Sequence, residues 1–153
     1  MSGSQDRSRF ERSSAPGMGE VRVRARLTNA FDEVLLRRGM LPPEEVRTYE
    51  TDALVDTGAV RTVVPAHVAS HLGLGVRGQR MARYADGRRE AVGVTESFVV
   101  ELEGRDTLEE ALVLGDKVLI GQTVLEKLDL LADCEGRRVV PNPAHPDGPV
   151  TRV

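Results

Sequence analysis

Apolar and polar positions alternate with a period of two along residues 21–27, where Val, Val, Ala and Leu are separated by three arginines. This period is typical of a strand that buries one face and exposes the other. The exposed arginine face suits either a nucleic-acid surface or a solvated face that protects a sheet edge. Because the chain is acidic overall, with a formal net charge of -3, we favour the solvated face.

Shorter apolar runs between turn signals predict further strands along the chain. Residues 29–40 fit either a short helix or an extended excursion. Pro65 is expected to start a short helix over residues 66–72. Strands are predicted at residues 48–55, 63–64, 109–114, 118–121, 130–134 and 137–140.

A hairpin is predicted over residues 81–103, because Asp86-Gly87 is a turn signal between two strand-like segments. The apolar positions of residues 92–102 predict that its second strand is long, with a bulge near Thr95.

Residues 123–128 predict a second short helix after the strand at 118–121. Thr123 would be its N-cap, with Glu126 three residues later completing a capping box. Many short strands with one or two short helices predict an all-β fold class, mainly β.

Composition limits the class of protein and its partners. At 153 residues the chain fits one domain, and scarce aromatic residues (3%) leave a core of Val, Leu and Ala. Cys134 stands alone, which excludes an internal disulfide, fits a reducing compartment and predicts a small buried residue. No apolar stretch is long enough to span a membrane, the first residues lack a signal core, and the acidic balance favours no nucleic-acid partner. We therefore expect a cytoplasmic protein.

Composition also divides the chain into three parts. Residues 1–18 are rich in Ser, Arg and Gly and predict a disordered N-terminal tail, either a pro-segment or a passive extension. Residues 19–143 form the predicted domain. Pro141-Asn142-Pro143 ends regular structure, so residues 144–153 are predicted to be a C-terminal tail that either adds an interface strand or hangs free.

A carboxylate followed by small residues is the strongest chemical signal in the sequence. The apolar residues 53–55 lead directly into Asp56-Thr57-Gly58, with Ala59 next, and this tripeptide occurs once. No internal repeat supplies a second copy. Peptide hydrolysis by paired carboxylates needs two such groups sharing one proton, so one chain can supply only half of such a site.

Four features follow one another in a distinctive order: the Asp56 turn, Thr62 with an apolar strand, a glycine-bearing hairpin, and Leu119-Ile120-Gly121 followed at once by a helix. In this order they resemble the retropepsin-like aspartic proteases, a single-domain homodimeric class, over residues 21–140. The resemblance implies an all-β, retropepsin-like closed barrel, the acid-protease fold with one lobe per subunit. It also implies a homodimer that hydrolyses a peptide or protein substrate, with no cofactor and no metal.

The resemblance also assigns roles to individual positions. Asp56 of each subunit would be catalytic, one carboxylate activating a water and the other donating a proton to the scissile carbonyl. Thr57 would hydrogen-bond across the dimer axis, Gly58 would let the two loops approach, and Ala59 would leave room beside the substrate. The hairpin turn would be the flap that closes over substrate, formed by Tyr84, Ala85, Asp86 and Gly87. Thr62 would support the active-site loop, and the structural positions beneath the active site would be Leu119, Ile120 and Gly121.

Several alternatives stay open at this level. Retroviral members carry acidic residues where this chain has Val60 and Arg61, so contacts to substrate are expected to differ. Tyr84 could either cover the substrate or pack within the flap. His67 and His71 could share a metal on the predicted helix, but no third ligand is evident, so a surface pair is favoured. The alternative function is a catalytically silent retropepsin-fold module for peptide binding or dimerisation.

Overall fold

The structure, a computed structural model, describes residues 20–153, and the predicted disordered tail over residues 1–18 lies outside this part. Within the described part the chain is mainly β with three short α-helices and one 3-10 turn, which confirms the predicted fold class. The strands are β1 (Val21–Asn29), β2 (Thr48–Val55), β3 (Val63–Val64), β4 (Val76–Arg83), β5 (Arg89–Thr95), β6 (Phe98–Leu102), β7 (Arg105–Glu109), β8 (Leu112–Val113), β9 (Leu119–Ile120), β10 (Leu130–Asp133) and β11 (Arg138–Pro141). The helices are α1 (Ala30–Arg37), α2 (Ala66–His71) and α3 (Gln122–Leu128), and the 3-10 turn is Pro43–Glu45.

Nine of these strands form one sheet in the order β4-β5-β8-β3-β9-β2-β1-β6-β7, which curls as a half barrel. The remaining two strands, β10 and β11, lie where strands were predicted at residues 130–134 and 137–140, and they pair in a separate antiparallel hairpin. The core between these elements is built mostly from Val, Leu and Ala side chains, with Ile120 and Phe98 among its fully buried members. Cys134, for which we predicted burial, is instead exposed in the turn between β10 and β11.

Strand β1 confirms the period-two pattern. Its apolar residues are buried and its arginine positions are exposed, between antiparallel neighbours β2 and β6. The arginine face is partly neutralised by acidic residues, since Arg22 lies 3.3 Å from Glu20 and Arg24 lies 3.4 Å from Asp52. The favoured interpretation of a solvated outer face is consistent with these pairs.

The short strand β9 determines where the Asp56 turn lies. It runs parallel to β2, with Val55 opposite Ile120, and antiparallel to β3, with Val63 opposite Leu119. Because β9 lies between the two strands that flank residues 56–62, this loop crosses the end of β9.

The prediction of one long strand over residues 92–102 is wrong. Strand β5 pairs with β4 and β8, whereas β6 pairs with β1 and β7. The break follows from local hydrogen bonds, because the buried Thr95 hydroxyl accepts from Ala111 N (3.0 Å) and Glu96 N donates to Gly75 O (2.9 Å). These bonds hold the chain where it leaves one part of the sheet and enters another.

The strand predicted at residues 109–114 is shorter than predicted. Strand β7, which was not predicted, ends at Glu109, where the predicted strand begins, and β8 covers only Leu112–Val113. Strand β7 is polar in sequence, yet Arg105 and Glu109 at its ends are both buried. Burial of these charges is possible because each is hydrogen-bonded to segments distant in sequence.

The ambiguous segment after β1 is a helix, α1. Asn29 caps it by accepting from Asp32 N (3.0 Å), and the same side chain donates to Leu72 O (2.8 Å). The Asp32 carboxylate is 3% exposed and receives the Arg47 guanidinium through both oxygens, at 2.8 and 2.9 Å, together with Arg47 N at 3.0 Å. This bidentate contact holds the start of α1 against the chain entering β2.

The segment after β11 lies against the domain. The Asp129 carboxylate accepts from Asn142 Nδ2 (2.9 Å) and Val150 N (3.1 Å), and it lies 2.6 Å from His145 Nδ1. The hydrogen bond from Asn142 is the main cause that holds the pKa of Asp129 below its usual value. Arg105 adds hydrogen bonds to the carbonyls of Asp129 and His145. Within this single chain, residues 144–153 form no strand.

Candidate active site

The Asp56 turn begins where β2 ends. Asp56 N donates to Ile120 O (3.0 Å), which extends the pairing between β2 and β9 by one residue. Within the turn, Asp56 Oδ1 accepts from Gly58 N (2.9 Å) and Asp56 O accepts from Ala59 N (3.0 Å). The carboxylate is half-buried, so the strand fixes its backbone while its side chain remains accessible.

The residues after Asp56 are open to solvent in a single chain. Thr57 and Gly58 are exposed, Ala59 is half-buried, and Val60 is 66% exposed. A Cβ on Gly58 would lie 3.3 Å from Asp56 Oδ1, which is closer than most Cβ contacts. Glycine at this position therefore avoids a tight contact with the carboxylate. The side chain of Thr57 makes no hydrogen bond within residues 20–153.

Helix α3 holds the same loop from below. Its first N–H groups have no partner within the helix, and two of them donate to the loop: Gln122 N to Ala59 O (2.8 Å) and Thr123 N to Val60 O (3.2 Å). Loop and helix therefore satisfy one another's backbone groups. This contact is what fixes the position of the loop relative to β9.

The predicted capping box at the start of α3 is wrong. The N-cap is Gly121, which makes no side-chain cap, and Thr123 lies inside the helix. The Thr123 hydroxyl donates instead to Glu109 Oε2 (2.9 Å), and Lys127 Nζ lies 3.2 Å from the other oxygen of that carboxylate. The local sequence suggested a cap, but the loop carbonyls already occupy the helix terminus.

Thr62 and Gly121 are joined beneath the loop. Thr62 is fully buried and its hydroxyl accepts from Gly121 N (3.1 Å). A Cβ on Gly121 would lie 2.6 Å from Arg61 C and 2.7 Å from Val60 O, both backbone atoms that cannot rotate away. Only glycine allows β9 to pass this close to the loop.

The predicted flap turn connects β4 and β5. Tyr84 N donates to Arg88 O (2.8 Å), Gly87 N donates to Tyr84 O (2.9 Å), and Asp86 Oδ1 accepts from Arg88 N (2.9 Å). Gly87 has a φ of 86°, which favours glycine. The backbone hydrogen bond from Arg88 is the main cause that lowers the pKa of Asp86. The structure thus places Tyr84, Ala85, Asp86 and Gly87 in one turn.

Tyr84 packs within this hairpin. Its hydroxyl donates to Glu90 Oε1 (2.8 Å), and the Arg88 guanidinium lies 4.3 Å from the centre of its ring. The hydrogen bond to the Glu90 carboxylate raises the pKa of Tyr84. Both contacts keep the ring on the hairpin in this single chain.

The two helical histidines have different surroundings. His71 Nε2 lies 3.1 Å from Thr48 O, and its ring meets Tyr49 edge-on with 5.4 Å between centroids, whereas His67 is exposed. Among residues 20–153, no group of three or more His, Cys, Asp or Glu is placed to hold a metal ion. In the same part of the chain, no helix has the length and apolarity needed to cross a membrane.

Comparison with known proteins agrees with this arrangement. The sheet, the Asp56 turn and the β9–α3 unit beneath it define a protein of the retropepsin-like class. Residues 45–127, more than half of the chain, match the family described as gag-polyprotein putative aspartyl protease, and the chain belongs to that family.

One solved structure is also similar to this chain, at low sequence identity. The crystal structure of the retroviral protease-like domain of Ddi1 from Leishmania major is similar to this chain, with 15% identity and a TM-score of 0.49. That similarity covers 87% of this chain and 91% of the other. None of the curated protein sequences shows a significant match.

Proposed function

We propose that this chain is an aspartic endopeptidase that acts as a homodimer, with Asp56 of two copies facing each other across the dimer axis. The observation that carries the proposal is the Asp56 carboxylate itself, held at the end of β2 by Gly58 N and left accessible on one side. Membership of the aspartyl protease family supports a catalytic role for this carboxylate.

The homodimer follows from the number of carboxylates. Each chain carries one Asp-Thr-Gly turn, and hydrolysis by this route needs two carboxylates. The side chains next to Asp56 suit an interface, because the Thr57 hydroxyl has no hydrogen-bond partner in the described part of the chain and Val60 is an exposed apolar residue. Pairing two such loops would bury both groups.

The mechanism uses one proton shared by two carboxylates. Like charges at hydrogen-bond distance cannot both ionise readily, so the two carboxylates share one proton. The ionised Asp56 takes a proton from a water held between the two, and the protonated Asp56 donates to the scissile carbonyl oxygen. The water oxygen adds to the carbonyl carbon at the same time and gives a tetrahedral intermediate. This intermediate collapses as the C–N bond breaks: the leaving amine takes the proton that the first Asp56 received from the water, and the second Asp56 recovers its proton from a hydroxyl of the intermediate.

Cleavage of a proteome-derived peptide library tests the proposal. Asp56→Asn should lower the rate at least ~10³-fold, because an amide cannot act as general base or acid. The matched control is Asp52→Asn, four residues earlier on β2, whose exposed carboxylate contacts Arg24 at 3.4 Å and no other side chain among residues 20–153. Equal cleavage by the wild type and Asp56→Asn would contradict the proposal and favour a silent peptide-binding or dimerisation module.

A further inference from the structure

The hairpin that carries the predicted flap, residues 76–95, has an unusual charge for this acidic chain. It contains five arginines and two acidic residues, which gives 5 - 2 = +3, whereas the whole chain is -3. Both acids are already engaged, since Asp86 contacts Arg88 and Glu90 accepts from Tyr84. The other four arginines of the hairpin have no hydrogen bond or ion pair from their side chains within residues 20–153; they are Arg77, Arg80, Arg83 and Arg89.

One of these arginines, Arg80, lies on the inner face of the hairpin. Arg80 lies opposite Val92 in the β4–β5 pairing, and residues directly opposite share a face. Since Val92 is buried, this is the inner face of the hairpin. Arg83 lies opposite Arg89, three residues further along β4, and therefore on the outer face.

Arg80 and Arg61 line the same cavity, which has a volume of about 370 Å³. Arg61 belongs to the loop that carries Asp56 and also has no side-chain partner among the described residues. The loop is fixed at this point, because Val60 O accepts from Thr123 N. The cavity therefore joins the inner face of the hairpin to the Asp56 loop.

The remaining charges of the cavity leave an excess of positive charge. Lys127 and the buried Glu109 neutralise each other at 3.2 Å, and Thr123 donates to the same carboxylate. Glu110 is the other acid in the lining, against the two guanidinium groups of Arg61 and Arg80. Two unpaired arginines facing one cavity are suited to receive a carboxylate.

We propose that this cavity receives an acidic side chain of the substrate, Asp or Glu, which Arg61 and Arg80 bind from the loop and from the hairpin. The inference rests on the proposed function and names its substrate class: peptide segments that carry an acidic residue near the cleaved bond. A nucleic acid is less suited to the site, because the arginines converge on one cavity and the chain is acidic overall.

Paired peptides that differ only in Glu or Gln at each position around the cleaved bond test this inference. The wild type should prefer Glu at one position by ~10- to 100-fold in kcat/KM, as expected for hydrogen bonds to charged groups. Arg61→Gln and Arg80→Gln should each reduce the preference, and the double variant should remove it. Arg83→Gln, with the same charge change on the outer face, should keep it. Arg61→Glu with Arg80→Glu should shift the preference to Lys.

A binding measurement separates this inference from the proposed function. Fluorescence anisotropy of labelled Glu and Gln peptides with Asp56→Asn protein needs no cleavage. Cleavage by the wild type without a Glu preference would overturn the inference and still support the proposed protease function. Glu-selective binding that depends on Arg61 and Arg80, without any cleavage by the wild type, would support the acidic-residue site and overturn the proposed protease function. Tighter binding of a single-stranded DNA oligomer than of the Glu peptide, lost in the same double variant, would also overturn the inference.

Discussion

The Thr62 hydroxyl accepts a hydrogen bond from Gly121 N across 59 residues of sequence, at 3.1 Å and out of contact with water. This bond joins the segment that follows Asp56 to the start of helix α3. The same helix donates two backbone hydrogen bonds to the carbonyls of Ala59 and Val60. The carboxylate is therefore positioned by contacts on both sides of the loop.

Replacing Thr62 with Val removes the acceptor and keeps the shape of the side chain. We expect a loss of about 1–3 kcal/mol in the free energy of unfolding, because Gly121 N stays buried without a partner. Thr95→Val is the matched control, since it removes the same type of bond to Ala111 N at 3.0 Å. Urea titration and peptide cleavage should show similar stability losses but a larger activity loss for Thr62→Val. Equal activity losses would mean that Thr62 does not position the loop.

Replacing Gly121 with Ala places a methyl group against the backbone of Arg61 and Val60. Because the nearest atom would lie at 2.6 Å, the loop or β9 must shift, and we expect destabilisation of about 2–3 kcal/mol or more. Gly78→Ala is the control: its Cβ would meet nothing within 4 Å, and its stability should stay within about 0.5 kcal/mol of wild type. Thermal unfolding of the two variants checks this. A Gly121→Ala protein as stable and active as Gly78→Ala would contradict the close approach.

Mixing subunits tests the shared carboxylate pair directly. At constant total protein, wild-type chains exchanged with Asp56→Asn chains should lose activity as the square of the wild-type fraction. An equal mixture would then retain about a quarter of the activity, because both copies must carry Asp56. Mixing with Asp52→Asn chains is the control and should leave activity unchanged. A linear decline with Asp56→Asn chains would show that one chain suffices.

The sequence predicted the parts of this protein that local pattern determines. β1 was predictable because its buried and exposed faces alternate. The Asp56 turn was predictable because its Oδ1 bond to Gly58 N spans two residues. In both cases the residues that decide the structure are close in sequence.

The parts that were not predicted depend on distant partners. The sequence of β7 is too polar to suggest a strand with buried ends, and Arg105 is tolerated there because it donates to the carbonyls of Leu128 and His145. The Thr123 cap was wrong because the loop already supplies acceptors for the helix N-terminus. The cavity shared by Arg61 and Arg80 likewise depends on how β4 folds against the loop, 19 residues away in sequence.

The Asp32–Arg47 contact gives a pH-dependent prediction. The hydrogen bond from the Arg47 side chain is the main cause that lowers the pKa of Asp32, so the folded state binds this proton less tightly than the unfolded state. The stabilisation is therefore fully present above the unfolded pKa of about 3.9 and is lost as the pH falls through the lowered folded value. Asp32→Asn should cost about 1.5–3 kcal/mol at pH 7, since it replaces the charged acceptor of these hydrogen bonds, a buried carboxylate whose guanidinium partner is about half exposed.

Chemical denaturation at one fixed protein concentration, from pH 7 to pH 2, measures the difference in the free energy of unfolding between wild type and Asp32→Asn. This difference in the free energy of unfolding should become smaller below about pH 4, because the protonated wild-type carboxyl no longer pairs with Arg47. Asp52→Asn, which removes the exposed contact with Arg24, should change stability by at most about 0.5 kcal/mol at any pH. If the stability difference between wild type and Asp32→Asn stays constant or increases in acid, the ionised carboxylate is not what stabilises the start of α1.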